Sequence, residues 1–213
     1  MKKLILSLVL LLGFNSYAQL NFSSYEKATL KLRNGDILIG EARITDDEKV
    51  NFRKSKGNKK QKHNYRTLES FRIYGEKDTL RFTYKIIAGK EPRLMRVLRE
   101  YPGRINLYAI EYFNNTFRPG GTPTNPAVPL GEGVSLSTGV AVNASEYYLN
   151  KGNGFEVVKI GNDHPVFGKR RFKNALIEFF EDCPKLIEKV EENEFSRREM
   201  EAIVDFYITN CHS

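Results

Sequence analysis

The hydrophobic period of this chain changes once, from 2 to 3.6, and that change restricts the fold to a β-unit followed by helices. From Ala28 to about Phe113, short alternating runs are broken by turn residues every eight to twelve positions, the pattern of an antiparallel sheet. Ala28 to Leu32 alternates, Asn34-Gly35-Asp36 reverses the chain through conformations that Asn and Gly tolerate, and Ile37 to Ile44 returns as its partner. Lys49 to Arg53, Tyr65 to Tyr74, Thr79 to Ile87, Leu94 to Tyr101 and Ile105 to Phe113 read as further strands. Glu146 to Leu149 and Phe155 to Ile160 flank Lys151-Gly152-Asn153-Gly154 as a second hairpin. A meander or small barrel follows.

Beyond residue 170 the apolar positions Phe172, Leu176, Phe179, Phe180, Cys183, Ile187 and Val190 fall on one side of a helical wheel. Pro184 lacks an N–H and clashes with a preceding turn, so it begins a new helix after a bend at Asp182-Cys183-Pro184. Ser196 and Glu199 form an S-x-x-E capping box before a third helix with Met200, Ile203, Val204 and Tyr207 on its apolar side. The expected class is therefore α+β: an antiparallel β-meander or small barrel over 25–161, then a helical tail over 171–213. Residues 114–143 interrupt the β-unit with five glycines, four prolines and little periodic apolar signal. Such a segment buries too little to offset its ordering entropy, so it is expected to be a mobile insertion.

Residues 1–18 read as a signal peptide. Lys2 and Lys3 precede an apolar run from Leu4 to Phe14, and Ser16-Tyr17-Ala18 supplies small residues before a cut ahead of Gln19. The run is too short to span a bilayer, and no transmembrane segment is expected after cleavage. Removing 18 residues from 213 leaves 195, and the formal charge falls from +8 to +6. Outside the cytosol this basic balance points away from nucleic acid and towards lipopolysaccharide, anionic glycan or an envelope protein. The same compartment favours a disulfide between Cys183 and Cys211, closing a loop of about 29 residues worth roughly 3 to 4 kcal/mol by chain entropy. The location expected is periplasmic, outer-membrane-associated or extracellular.

One stretch stands out for charge. Residues 53–66, RKSKGNKKQKHNYR, hold Arg53, Lys54, Lys56, Lys59, Lys60, Lys62 and Arg66 without an acid. A hairpin tip so charged stays in solvent, and it is the candidate anionic-ligand surface. Catalytic signals are missing: His63, His164 and His212 are the only histidines, none at metal-ligand spacing. No G-x-S-x-G, H-E-x-x-H or phosphate-cradling glycine loop occurs. Glu178 and Asp182 read as solvated helical charge. No catalytic residue, metal or cofactor is expected, and the role anticipated is binding or assembly, with a hydrolase assembled from scattered residues as the alternative class.

Several of these features together resemble a group of exported proteins of the Bacteroidota. The resemblance rests on the leader ending Tyr17-Ala18-Gln19, the Leu32-Arg33-Asn34-Gly35-Asp36-Ile37-Leu38-Ile39-Gly40 hairpin, a Tyr-Tyr-Leu strand, and Phe179 to Pro184 with Ile203 to Tyr207 and Cys211. It implies location rather than activity. Asp78-Thr79-Leu80 is also similar to the short O-glycosylation acceptor pattern of such proteins. Locally, Leu32, Gly35, Gly40, Asp46 and Asn51 resemble the first half of the Sm-type pattern, although Asn51 lies one residue too far on and Tyr74-Gly75 replaces the expected Arg-Gly. That likeness implies a strongly bent, SH3-like barrel and carries nothing about a ligand.

Overall fold

The computed structural model describes residues 24–75, 78–112, 144–163 and 168–211. The leader 1–18, the insertion 114–143, His164 and His212 lie outside the described residues. Ten strands form one sheet: β1 (Glu26–Leu32), β2 (Ile37–Ile44), β3 (Val50–Arg53), β4 (Gln61–His63), β5 (Leu68–Tyr74), β6 (Thr79–Ile87), β7 (Arg93–Tyr101), β8 (Ile105–Tyr112), β9 (Ala144–Lys151) and β10 (Glu156–Asn162). Three helices follow: α1 (Lys169–Phe179), α2 (Pro184–Glu191) and α3 (Met200–Asn210). The α+β class holds, with strands first and helices last.

The strand order is β10-β9-β8-β7-β6-β5-β1-β2-β3-β4, which departs from a plain meander at one place. After β4 the chain turns through residues 64–67, with Thr67 and Leu68 both donating their amides to the Asn64 carbonyl, and β5 returns to pair antiparallel with β1. Tyr65 to Thr67 therefore belong to this turn and not to a strand. Sequence periodicity also misses β4, because three residues are too few to show alternation. At the far end β10 pairs with both β9 and, in parallel, β6, so β6 to β10 close into a ring of five. Strands β8 and β9 pair from Ile105↔Lys151 to Tyr112↔Ala144, on either side of the insertion.

Strand alternation distributes the apolar side chains into three cores. Leu30, Ala42, Phe52, Phe71, Ile73, Leu80, Phe82 and Tyr84 form a core on one side of β1 to β7, where Phe71 and Phe82 stack with centroids 4.9 Å apart. Met95, Tyr108, Ile110, Tyr148 and Val157 fill the ring. On the opposite face of β8 to β10, Ile105, Leu107, Tyr147, Leu149 and Ile160 meet Phe172, Leu176, Phe180, Leu186, Ile203, Val204 and Tyr207 from the helices. Pro184 occupies the first turn of α2. The restart there puts Leu186 rather than Ile187 fully into the core. The capping box is half realised: Ser196 N–H donates to the Glu199 carboxylate at 2.7 Å, but residues 196–199 form a separate turn and α3 begins at Met200.

Two glycines record how tightly the layers meet. A Cβ on Gly40 would lie 2.4 Å from the Arg53 carbonyl oxygen and 2.9 Å from the Phe52 ring, so β2 must be bare there for β3 to cross it. At Gly161, φ is +154° beside a bulge in the β9–β10 pairing, and a Cβ would meet Phe172 at 2.9 Å. This glycine lets α1 lie on β10.

Candidate functional site

The basic segment does not form a single projecting tip. Arg53 ends β3, residues 54–60 form the loop, Gln61 to His63 form β4, and Arg66 sits in the turn to β5. Four of its seven cations are held by neighbours. Arg53 pairs with Glu41 at 2.6 Å and lies 4.0 Å above the Tyr25 ring. Lys60 stands 5.9 Å from the same ring. Lys62 pairs with Asp47 at 3.1 Å, whose carboxyl is held well below the usual range by hydrogen bonds from Lys49, Thr45 and Lys62. Arg66 stacks on Tyr65. The remaining three, Lys54, Lys56 and Lys59, are exposed on the loop, and none makes an ion pair among the described residues. Gly57, at φ +94°, forms its apex inside a Ser55–Asn58 turn. Arg43, 5.3 Å from Tyr25, joins this cluster; it was not foreseen because strand pairing, not sequence proximity, brings it there.

His63 is buried edge-on to Phe52, its ring 6.4 Å away. Burial lowers its pKa, and its Nε2 has no hydrogen-bond partner among the described residues. Among the described residues no group of three or more His, Cys, Asp or Glu is arranged to hold a metal ion. No helix there is long and apolar enough to cross a membrane.

A second site lies at the mouth of the five-strand ring and was not anticipated from the sequence. It is an open groove of about 370 Å³ between β5, β6 and the start of β10. On β6, Leu80, Phe82 and Tyr84 point into the first core, so alternation turns Arg81, Thr83 and Lys85 to the other face. Tyr108 forms the floor and is 2% exposed. Its hydroxyl makes no hydrogen bond to another described residue, and its pKa is raised by burial and by the nearby Glu100 carboxylate. Lys85 Nζ donates to the Gly154 carbonyl at 2.9 Å and lies 4.9 Å from the Tyr108 ring. It contacts no carboxylate among the described residues, and burial lowers its pKa. Phe155 forms the wall and is 59% exposed, with Arg33 and Lys85 each 5.7 Å from its ring centroid.

Buried amides hold this mouth in shape. Asn106 donates to Asn150 Oδ1 at 3.1 Å and to the Gly152 carbonyl at 3.0 Å, and Asn150 donates to the Gly154 carbonyl at 2.7 Å. The hairpin turn that presents Gly154 and Phe155 is thereby tied to β8. On the rim, Arg33 Nε donates to the Tyr65 carbonyl at 2.7 Å, Arg81 pairs with Glu100, and Glu69 pairs with Lys31. The one early signal was the Arg-Phe-Thr-Tyr-Lys alternation of β6, whose polar half reads equally well as a solvated face.

The expected bridge between Cys183 and Cys211 is present, with Cα atoms 5.5 Å apart. It joins the start of α2 to the end of α3. Beside it, Asp182 is not merely a solvated charge, as expected from the sequence, but accepts hydrogen bonds from Tyr207 at 2.6 Å and Lys151 at 2.8 Å. Glu178 is exposed. Comparison with family models, curated proteins and solved structures returned no match to this chain.

Proposed function

We propose that this chain is an exported, non-enzymatic protein of the cell envelope that binds an anionic lipid or lipopolysaccharide surface through residues 54–60. The observation that carries the reading is the group of three exposed lysines, Lys54, Lys56 and Lys59, on a loop without acids. Arg53, Lys60 and Lys62 are engaged at its base. The disulfide supports an oxidising compartment. We read β1 to β5 as the SH3-like half of the sheet, supported by the order β4-β3-β2-β1-β5 and the turn at 64–67. In this reading the rigid half-barrel carries the loop as a surface-docking finger.

Each lysine close to an anionic surface contributes about 1 kcal/mol, so the triple change Lys54→Gln, Lys56→Gln, Lys59→Gln should weaken binding about a hundredfold. Co-sedimentation with phosphatidylglycerol-containing vesicles, with and without lipopolysaccharide, measures this. Binding should also fall steeply with salt. A parent chain that does not bind, or a triple variant that binds equally, overturns the proposal.

A further inference from the structure

The geometry points to a second binding site, independent of the basic loop: the groove at the mouth of the β6–β10 ring takes a sugar carboxylate, a hexuronic-acid unit. Mouths of small barrels are recurrent ligand positions, and a groove of this size lies at the lower end of those that hold small molecules. The volume, about 370 Å³, suits one or two sugar rings.

The chemistry of the lining selects the ligand class. Arg33, Arg81 and Lys85 supply three cations against the carboxylates of Glu69 and Glu100. With Glu69 held by Lys31 and Glu100 by Arg81, Arg33 and Lys85 remain to meet an anion, and the two carboxylates on the rim count against a polyphosphate. Lys85 keeps one proton on the Gly154 carbonyl; its other two touch no carboxylate among the described residues, Glu100 acting on the ammonium only at longer range. Half-burying an ammonium in that state carries a desolvation penalty that an arriving anion offsets. The Tyr108 hydroxyl is a second donor with no hydrogen-bond partner among the described residues; most of its side chain is buried, but the residue lines the groove, so its O–H can donate to an arriving acceptor. A carboxylate placed between the two answers both.

The rest of the groove suits the ring of the sugar. Ser70, Thr83 and Glu69 offer acceptors for hydroxyl groups. Ser70 and Thr83 face each other across the β5–β6 pair, and Thr83 already donates to the Glu69 carbonyl at 3.1 Å. Its lone pairs therefore remain available for a ligand hydroxyl. Phe155, exposed along its edge of the groove, supplies an apolar surface for the C–H face of the ring. Because the hairpin bearing it is fixed by Asn106 and Asn150, little ordering is needed on binding.

The test is calorimetric titration of the folded, oxidised chain with D-glucuronate, D-glucose and inorganic phosphate at equal ionic strength. Glucuronate should bind at least tenfold more tightly than either control. Tyr108→Phe, which removes only the hydroxyl, should weaken it several-fold, and Lys85→Met about tenfold, as expected for losing hydrogen bonds to a charged group. Should Lys85→Met fail to fold, Tyr108→Phe alone decides, since its hydroxyl supports no other residue. Absence of glucuronate binding at about 20 mM, a free energy weaker than about −2.3 kcal/mol, overturns the site; so does affinity unchanged by Tyr108→Phe. Phosphate binding as tightly as glucuronate overturns the sugar-acid assignment. The Lys54, Lys56, Lys59 triple variant should bind glucuronate normally, which separates failure here from failure of the surface-docking proposal.

Discussion

Reducing the Cys183–Cys211 bridge should lower the stability of the whole molecule by about 3.5 kcal/mol, the loop-closure entropy of a bridge between residues 28 apart. The bridge acts on global unfolding because the helices it joins share one core with the sheet. Phe180, Leu186, Ile203 and Tyr207 pack against Leu107 and Leu149, so the tail does not come apart while β8 and β9 remain formed. For a chain of this size each kcal/mol moves the melting midpoint by about 2–4 °C, which predicts a fall of about 7–14 °C. The folded structure should survive the loss, since Tyr207 still donates to Asp182 at 2.6 Å and still lies 4.8 Å from the Phe180 ring. Differential scanning calorimetry of oxidised and dithiothreitol-treated protein measures the shift, and Cys183→Ala with Cys211→Ser repeats it without reductant. Alanine is chosen at position 183 because that side chain is 1% exposed and a hydroxyl there would add a separate penalty. A single transition displaced by less than about 2 °C would refute the coupling. So would a second, low-temperature transition in the reduced protein, because it would mean that the helices melt apart from the sheet.

Two further outcomes follow from the packing and the charges. Gly40→Ala places a methyl group 2.4 Å from a backbone oxygen that cannot retreat without disturbing the Glu41↔Arg53 pairing, so urea denaturation should show a loss of about 2–3 kcal/mol, and a change under about 0.5 would refute the close crossing. At Asp182, burial raises the pKa but hydrogen bonds from Lys151 and Tyr207 lower it more, leaving it net below its ordinary 3.8. Its stabilisation is therefore complete above pH 3.8 and lost as pH falls through the lower folded value; Asp182→Asn should make the acid limb of a stability–pH curve shallower, and an identical limb would refute the contact.

The turns and periods of the sequence were enough for most of the fold because they are local. Asn34-Gly35-Asp36, Lys151-Gly152-Asn153-Gly154 and Pro184 each fix a reversal or a restart through their own backbone preferences, and the strands and helices beside them fall where alternation puts them. The return of β5 to β1 was not legible, since it depends on a turn at 64–67 whose residues, Asn64-Tyr65-Arg66-Thr67, carry no glycine or proline. Closure of the ring through Glu156↔Ile86 and Val157↔Ile87 was equally hidden, because parallel pairing of distant strands leaves no local signal. The basic segment was visible as composition; which lysines project was not. That distinction came from Glu41, Asp47 and Tyr25, residues that only the folded sheet brings beside it.

The position of β6 explains why the mouth of the ring escaped a reading by periodicity. Most sheet strands of this type show one apolar face and one wet face, but β6 separates two cores. Leu80, Phe82 and Tyr84 serve the first, while Lys85 and Ile87 border the second. A cation on the second side therefore reads in the sequence as an ordinary outward residue, although its neighbours are the Tyr108 and Phe155 rings. The same arrangement makes Lys85 unusually well placed for recognition. Its strand is fixed on one side by the Phe71–Phe82 stack and on the other by the pairing with β7 and β10. The first core is clamped from outside as well, since the Glu48 carbonyl accepts the Tyr84 hydroxyl at 2.6 Å and its carboxylate holds Arg93 at 2.5 Å. A side chain on so constrained a strand has little backbone freedom left to lose when a ligand arrives. The polar groups at the ring mouth are thus preorganised by the apolar packing behind them.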